Sequence, residues 1–303
     1  MRGIRSLAVV LLTVSALAVA AAGCDRGAVQ SYPSKPIDLV IHTDPGGGSD
    51  IYARMVGDII EKEKLSSQPI NYVNKGGGSG AVAASYMFEK KGDDYTTLSY
   101  AGVVLTTLLA EKVPGHSYKE LTPIVLLQLD PNIIQVRADS KYKTIKDLID
   151  DAKARPKQVS VGFGSIGSSD HMIAFMIEKA TGAQFNYLSF KSGGEAATQM
   201  LGGHVDFSMG QPGEAAGQLA AGKIRLLAAC TDERLAAFKD VPTLKESGIP
   251  VSFKLMRGIA GPPGMSKEAV AYLEGVYKKV SENQRYKDYV AGEGSVLSYK
   301  NSA

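Results

Sequence analysis

Ile37-Asp38-Leu39-Val40-Ile41-His42-Thr43-Asp44-Pro45-Gly46-Gly47-Gly48-Ser49-Asp50 is the stretch on which the reading of the fold turns. Ile37 to His42 reads as a strand, Pro45 to Gly48 breaks it, and Ser49 to Lys62 carries apolar residues at helical spacing in Ile51, Met55 and Ile59. A strand that passes through a glycine turn into a helix leaves the helix's unpaired amides at the strand's C-terminal edge, where α/β folds bind anions. The simpler alternative is a tight turn in which Ser49 caps the helix and Asp50 complements its dipole. Three consecutive glycines exceed what such a turn needs.

The same alternation continues outward. Ile70 to Val73 reads as a strand, Lys75 to Gly80 as a glycine loop and Ala81 to Glu89 as a helix. Near Asp130-Pro131-Asn132 the chain turns and a new unit begins with Ile133 to Val136. Thr144 with Asp147 makes a capping box for a helix from Ile145 to Ala154. Strands follow at Val159 to Phe163, Gln184 to Phe190, Val205 to Met209 and Ile224 to Ala229. Helices separate them at Ser169 to Thr181, Gly194 to Leu201 and Gly213 to Ala221. Beyond Thr231 come Pro242, Pro250, Pro262 and Pro263, then an amphipathic helix from Lys267 to Glu282 with Val270, Leu273 and Val276 on one side. The pattern predicts an α/β protein of two lobes, each a mainly parallel sheet flanked by helices, with a hinge between them. The expected lobe 1 is discontinuous, 32–134 plus 229–303, with lobe 2 at 135–228 inserted.

At the N-terminus, Arg2 and Arg5 precede an uncharged apolar stretch from Leu7 to Ala22, which predicts a secretory signal peptide over 1–23. The stretch is shorter than the ~20 residues that span a bilayer. Ala21-Ala22-Gly23-Cys24 resembles a lipobox, with Ala21 where most boxes carry Leu, so Cys24 is the expected site of a lipid anchor and residues 24–31 its tether. Asp25 resembles the signal that keeps lipoproteins at an inner membrane. The remaining cysteine, Cys230, lies in an apolar run and reads as a buried, inert thiol. The formal net charge is +3, and it falls to +1 when Arg2 and Arg5 leave with the signal peptide. Such a balance argues against nucleic acid.

Gly162-Phe163-Gly164-Ser165-Ile166-Gly167 matches the dinucleotide pattern G-x-G-x-x-G, but the next strand ends in Leu188-Ser189-Phe190-Lys191, with a lysine where a ribose-binding acid belongs. An exported nicotinamide oxidoreductase is therefore the weaker alternative. The loop makes better sense as a second anion cradle, in which Ser165, Ser168 and Ser169 add hydroxyls to the amides that open the following helix, although serines there also serve as caps. His171, in the first turn of that helix, reads either as a neutral hydrogen-bond donor or as a structural histidine. His42, His116 and His204 are scattered and support no metal site. No serine sits in G-x-S-x-G, and no nucleophile is paired with a base, so no enzymatic activity and no cofactor are expected. Lys75, Lys191 and Arg257 fall on or near predicted loops and are candidates for neutralising an acid, with solvated surface charge the commoner role. At Asp206 turn chemistry competes with ligand contact.

In their order, these residues resemble the Bug-type, TctC-like solute-binding receptors of tripartite tricarboxylate transporters. The resemblance rests on Tyr32-Pro33-Ser34-Lys35-Pro36-Ile37, the Pro45 to Asp50 loop with Ala53-Arg54, and the Asn74 to Gly80 loop. It continues through Gly164-Ser165-Ile166-Gly167-Ser168 with His171, Phe190-Lys191-Ser192-Gly193-Gly194 and Leu201-Gly202-Gly203-His204-Val205-Asp206. Further matches are Ala221-Gly222-Lys223-Ile224-Arg225, Asp240-Val241-Pro242-Thr243 and Pro262-Pro263-Gly264. The resemblance implies a type II periplasmic-binding fold that holds a small di-, tricarboxylic or aromatic acid through main-chain amides and water. Gly47, Gly48, Ser49 and Asp50 would form one half of the site, and Ser165, Gly167, Ser168, Ser169, His171 and Asp206 the other. It further implies a monomer at the periplasmic or cell-surface side of a membrane, working with a large and a small permease subunit or, alternatively, sensing for a membrane kinase. Three features depart from the family: Met256 stands where Trp is common, Phe190 where Tyr is usual, and the chain stops soon after Glu293-Gly294, which predicts that a final helix on lobe 1 is missing.

Overall fold

The computed structural model describes residues 32–303; the expected signal peptide, the lipidated Cys24 and the tether lie outside them. Strands numbered along the chain form two sheets. The first has six. Its parallel part is β1 (Ile37–Ile41) between β2 (Ile70–Asn74) and β3 (Thr96–Ala101). Antiparallel to β3 runs β10 (Lys254–Gly261), then β4 (Thr122–Pro131), with β11 (Val296–Asn301) at the edge. The second sheet has five strands in the order β7 (Phe185–Ser189), β6 (Val159–Phe163), β8 (Phe207–Gly210), β5 (Ile133–Arg137), β9 (Ile224–Ala229). There β6 is parallel to β7 and β8, whereas β5 is antiparallel to β8 and β9. The α/β class is as expected: most strands of each sheet run one way, and β5, β10 and β11 enter against the direction of the βαβ repeats.

Helices follow the strands: α1 (Gly48–Lys62), α2 (Ala81–Glu89) and α3 (Gly102–Leu109) on the first sheet, and α4 (Ile145–Ala154), α5 (Ser169–Thr181), α6 (Gly193–Leu201) and α7 (Pro212–Ala220) on the second. Two more, α8 (Lys267–Glu282) and α9 (Gln284–Gly292), close the first unit. None of the described helices is long and apolar enough to cross a membrane. Helix α1 buries Tyr52, Ala53, Val56, Ile59 and Ile60, a stripe at helical period, while Ile51 falls one residue out of phase and is 38% exposed. Strand β6 is buried throughout, with Val159, Val161 and Phe163 packed among Ile173, Ile177, Phe185 and Phe207. Each fully buried side chain of that kind contributes about 1.5–3 kcal/mol.

The chain passes from β4 to β5 through Asn132 alone, a fully buried residue whose carbonyl accepts the Cys230 N–H at 2.8 Å on the return path. The expected lobe edges shift accordingly. The first falls at Asn132 rather than at 134, since Ile133 already pairs with Gly210 and Ala229. On the return, Leu244, Ile249 and Val251 still pack in the core of the second sheet, and the first sheet resumes only at Lys254. Cys230 is fully buried and burial pushes its thiol well up, in keeping with an inert role.

Candidate functional site

The C-terminal ends of β1 and β6 face one another across a cleft. Its outer part, about 610 Å³, is lined from the first sheet by His42, Thr43, Asp44 and the loop Gly76 to Gly80, and from the second by Gly164, Ser165, Ile166, Ser189, Phe190, Lys191 and Glu195. Gly77, Gly78 and Gly80 all have positive φ, a backbone path that L side chains rarely follow. Adjoining it, and sharing His42, Thr43, Gly164, Ser165 and Lys191, is a recess of about 70 Å³ bounded by Gly48, Ser49, Ser165, Ser168, Ser169, Asp170, Gln211 and Arg257. Gly164 is required where the second-lobe loops meet, because a Cβ there would stand 2.8 Å from Gly193 N.

At the floor of the recess is a buried polar chain. Arg257, on β10 and only 2% exposed, donates from Nε to Asp130, from Nη1 to Ser49 Oγ at 2.9 Å and from Nη2 to Gln211 Oε1 at 3.4 Å. Asp130 also accepts from Gln128 Nε2 and from Ser295 Oγ at 2.9 Å, and Gln128 in turn accepts from Tyr286 OH at 2.6 Å. His42 Nδ1 lies 3.2 Å from the Ser99 carbonyl, which can only accept, so Nδ1 carries the proton. Nε2 then accepts from Ser49 Oγ at 3.3 Å. Burial, aided by the Arg257 charge, lowers the His42 pKa to about 4, so the ring is neutral at pH 7. Thr43 Oγ1, buried beside Gly47, has no hydrogen-bond partner among the described residues.

Helix N-termini from both sheets reach the cleft. On α5, Ser168 Oγ accepts from His171 N at 3.4 Å, and on α6, Ser192 Oγ accepts from Glu195 N at 3.1 Å while Glu195 takes the Lys191 N–H at 2.9 Å. Helix α1 begins after Gly47 with no side-chain cap, so Ser49 is not the cap and its hydroxyl is available to Arg257 and His42.

Of the expected site residues, Gly48, Ser49, Ser165, Ser168 and Ser169 line the recess, and Gly47 sits at the join of the two halves, its Cβ position 3.4 Å from Ser192. Four others are turned to structural tasks. The Asp50 carboxylate accepts from Gly46 N, Asn74 Nδ2 and Arg54 Nε, each at 3.0 Å; burial alone would raise its pKa, but these donors outweigh it and hold it below the usual range. Gly167 donates to His171 Nδ1 at 3.2 Å, and the imidazole stacks on Phe163, with burial and then Lys112 lowering its pKa. Asp206 binds Ser160 N and Oγ at 2.8 and 2.7 Å, at the opposite end of β6 from Gly164. Missed altogether were His42, Thr43, Asp170 and Gln211, while Arg257, expected near a loop, is a buried strand residue. The Thr43 signal was its place at the end of a strand; nothing local marks Arg257. Among the described residues no cluster of side chains could hold a metal ion.

The model of the family described as tripartite tricarboxylate transporter family receptor matches residues 52–303. The UPF0065 protein in the gbd 5′ region of Cupriavidus necator is 31% identical over 271 residues, 89% of this chain and 82% of its own. A TctC solute-binding protein from Polaromonas, solved without ligand, is 30% identical with a TM-score of 0.64, covering 90% of this chain and 93% of that one. MatC from Rhodopseudomonas palustris, solved with bound malate, shares the fold at a TM-score of 0.80 and 21% identity, over 88% of this chain and 91% of its own.

Proposed function

The chain belongs to the tripartite tricarboxylate transporter receptor family, and from that premise we propose that it is a non-enzymatic receptor enclosing a small carboxylate in the cleft between its two sheets. The observation that carries this reading is the recess itself, where Ser49 and Arg257 from the first sheet oppose Ser165, Ser168 and Ser169 from the second. With Lys191 beside them, the Ser165 and Ser168 hydroxyls and the loop amides favour an anion, and a ligand touching both sides stabilises their approach. In this reading the protein is a monomer held at the periplasmic or cell-surface side of the membrane by lipid on Cys24, and it hands its cargo to a large and a small permease subunit. The composition of Arg2 to Cys24 and the family membership support that placement.

Thermal unfolding of the purified protein against di-, tri- and monocarboxylates, malate included, tests the proposal. A ligand at 1,000 times its Kd adds about 4 kcal/mol, and at ~2–4 °C per kcal/mol for a chain of this size the midpoint rises by several degrees. A folded protein whose midpoint no carboxylate moves would overturn the reading.

A further inference from the structure

Five acidic and basic side chains line the cleft and its recess: Lys191 and Arg257 against Asp44, Asp170 and Glu195. Three of them are already matched. Arg257 is paired with Asp130; Asp170 accepts from Asn132 Nδ2 at 2.6 Å and Ser169 Oγ at 3.2 Å; Glu195 accepts the Lys191 amide. The helix N-termini are matched as well, since Asp50, Asp170 and Glu195 occupy the first turns of α1, α5 and α6 and complement their dipoles.

Two lining charges remain. Asp44, from the first-sheet side, and the ammonium of Lys191, from the second, make no side-chain hydrogen bond or ion pair among the described residues. Both residues are solvent-exposed. Asp44 Oδ1 lies 2.2 Å from where a Gly76 Cβ would be, so the bare glycine lets the carboxylate lie against the loop that walls the cavity. With one acid and one base left unmatched in the lining, a dianion would satisfy Lys191 with its first carboxylate and set its second against Asp44.

Resting on the receptor reading above, we propose that the ligand is a small zwitterion, an amino acid with one carboxylate, one ammonium and no further charge. Its ammonium sits on Asp44. Its carboxylate meets Lys191 and the hydroxyls of Ser165 and Ser168, leaving an uncharged side chain for Ile166 and Phe190.

Titration calorimetry of the purified protein with four-carbon probes tests this. The probes are 2-aminobutyrate, butyrate, which lacks the amine, succinate, which replaces it with a second acid, and aspartate, which carries both. The expected order places 2-aminobutyrate at least tenfold tighter than each of the other three. Asp44→Asn should weaken 2-aminobutyrate at least tenfold while leaving butyrate within twofold, and should improve succinate; Lys191→Met should weaken 2-aminobutyrate and butyrate alike. Tighter binding of succinate than of 2-aminobutyrate would overturn the zwitterion and leave the carboxylate receptor standing. Equal loss of 2-aminobutyrate and butyrate in Asp44→Asn would also overturn it, since Asp44 would then act on closure by pairing with Lys191. Failure of every carboxylate, with or without an amine, removes both readings together.

Discussion

Arg257 and Asp130 are each about 95% or more enclosed, and the pair is hydrogen-bonded on both sides. Removing one member strands the other charge in a low-dielectric interior. Arg257→Met is therefore expected to cost about 3–5 kcal/mol of stability, read as a lower urea midpoint, and combining it with Asp130→Leu should recover part of that loss. His42 sets a second expectation. Its folded pKa of about 4 lies below the unfolded value near 6.5, so the unfolded chain binds the proton first. Stability from this residue is complete above pH ~6.5 and drains away as pH falls toward ~4, by about 3 kcal/mol in all. A melt series across that window should fall more steeply for the wild type than for His42→Asn, which keeps a donor for the Ser99 carbonyl.

At the scale of elements, sequence and structure agree where the local physics is strong. The capping box over Thr144 and Asp147 forms, with Thr144 Oγ1 accepting from Asp147 N at 3.2 Å and Asp147 accepting from Thr144 N at 2.9 Å. Thr144→Ala should cost about 1 kcal/mol, measured by chemical denaturation, without altering ligand affinity. Helices Ala81–Glu89, Ile145–Ala154, Ser169–Thr181 and Lys267–Glu282 fall where periodicity placed them. Strand β10 was invisible because Lys254-Leu255-Met256-Arg257 carries charges that look solvated, whereas the sheet buries Arg257 on a partner 127 positions away in sequence. For the same reason the glycine- and serine-bearing loops that line the cleft were legible, but Arg257 and its buried partners were not. Asp50 and Asp206 were ambiguous in sequence because an acid beside a glycine turn looks the same whether it faces a ligand or, as here, accepts from a backbone amide, Gly46 N for Asp50 and Ser160 N for Asp206. At the C-terminus, where a missing helix was expected, the chain forms β11 on the edge of the first sheet.

Across the whole molecule, the two sheets touch through a few specific bonds. Thr106 Oγ1 on α3 donates to the Gly167 carbonyl at 2.9 Å, and Arg257 reaches Gln211. Thr106 lies outside the cleft lining, so its effect on binding would act through the approach of the two halves. Thr106→Val removes one ordinary hydrogen bond, about 0.5–1.5 kcal/mol, and should weaken the affinity for any captured ligand by roughly 2–10-fold in calorimetry, with the ligand ranking unchanged.

The strand order carries one more consequence, in time rather than in space. The second sheet is assembled from one uninterrupted run, residues 133 to 229, while the first must wait for β10 and β11, whose partners β3 and β4 were made far earlier in the chain. Long-range pairing of that kind is slow and comes late. As the polypeptide emerges, the half with the serine cradle can settle first, while β4 stays unpaired on both sides until the final fifty or so residues arrive. The recess bordered by Arg257 is thus the last part of the cleft to form, since Arg257 and the strand that carries it belong to that closing segment.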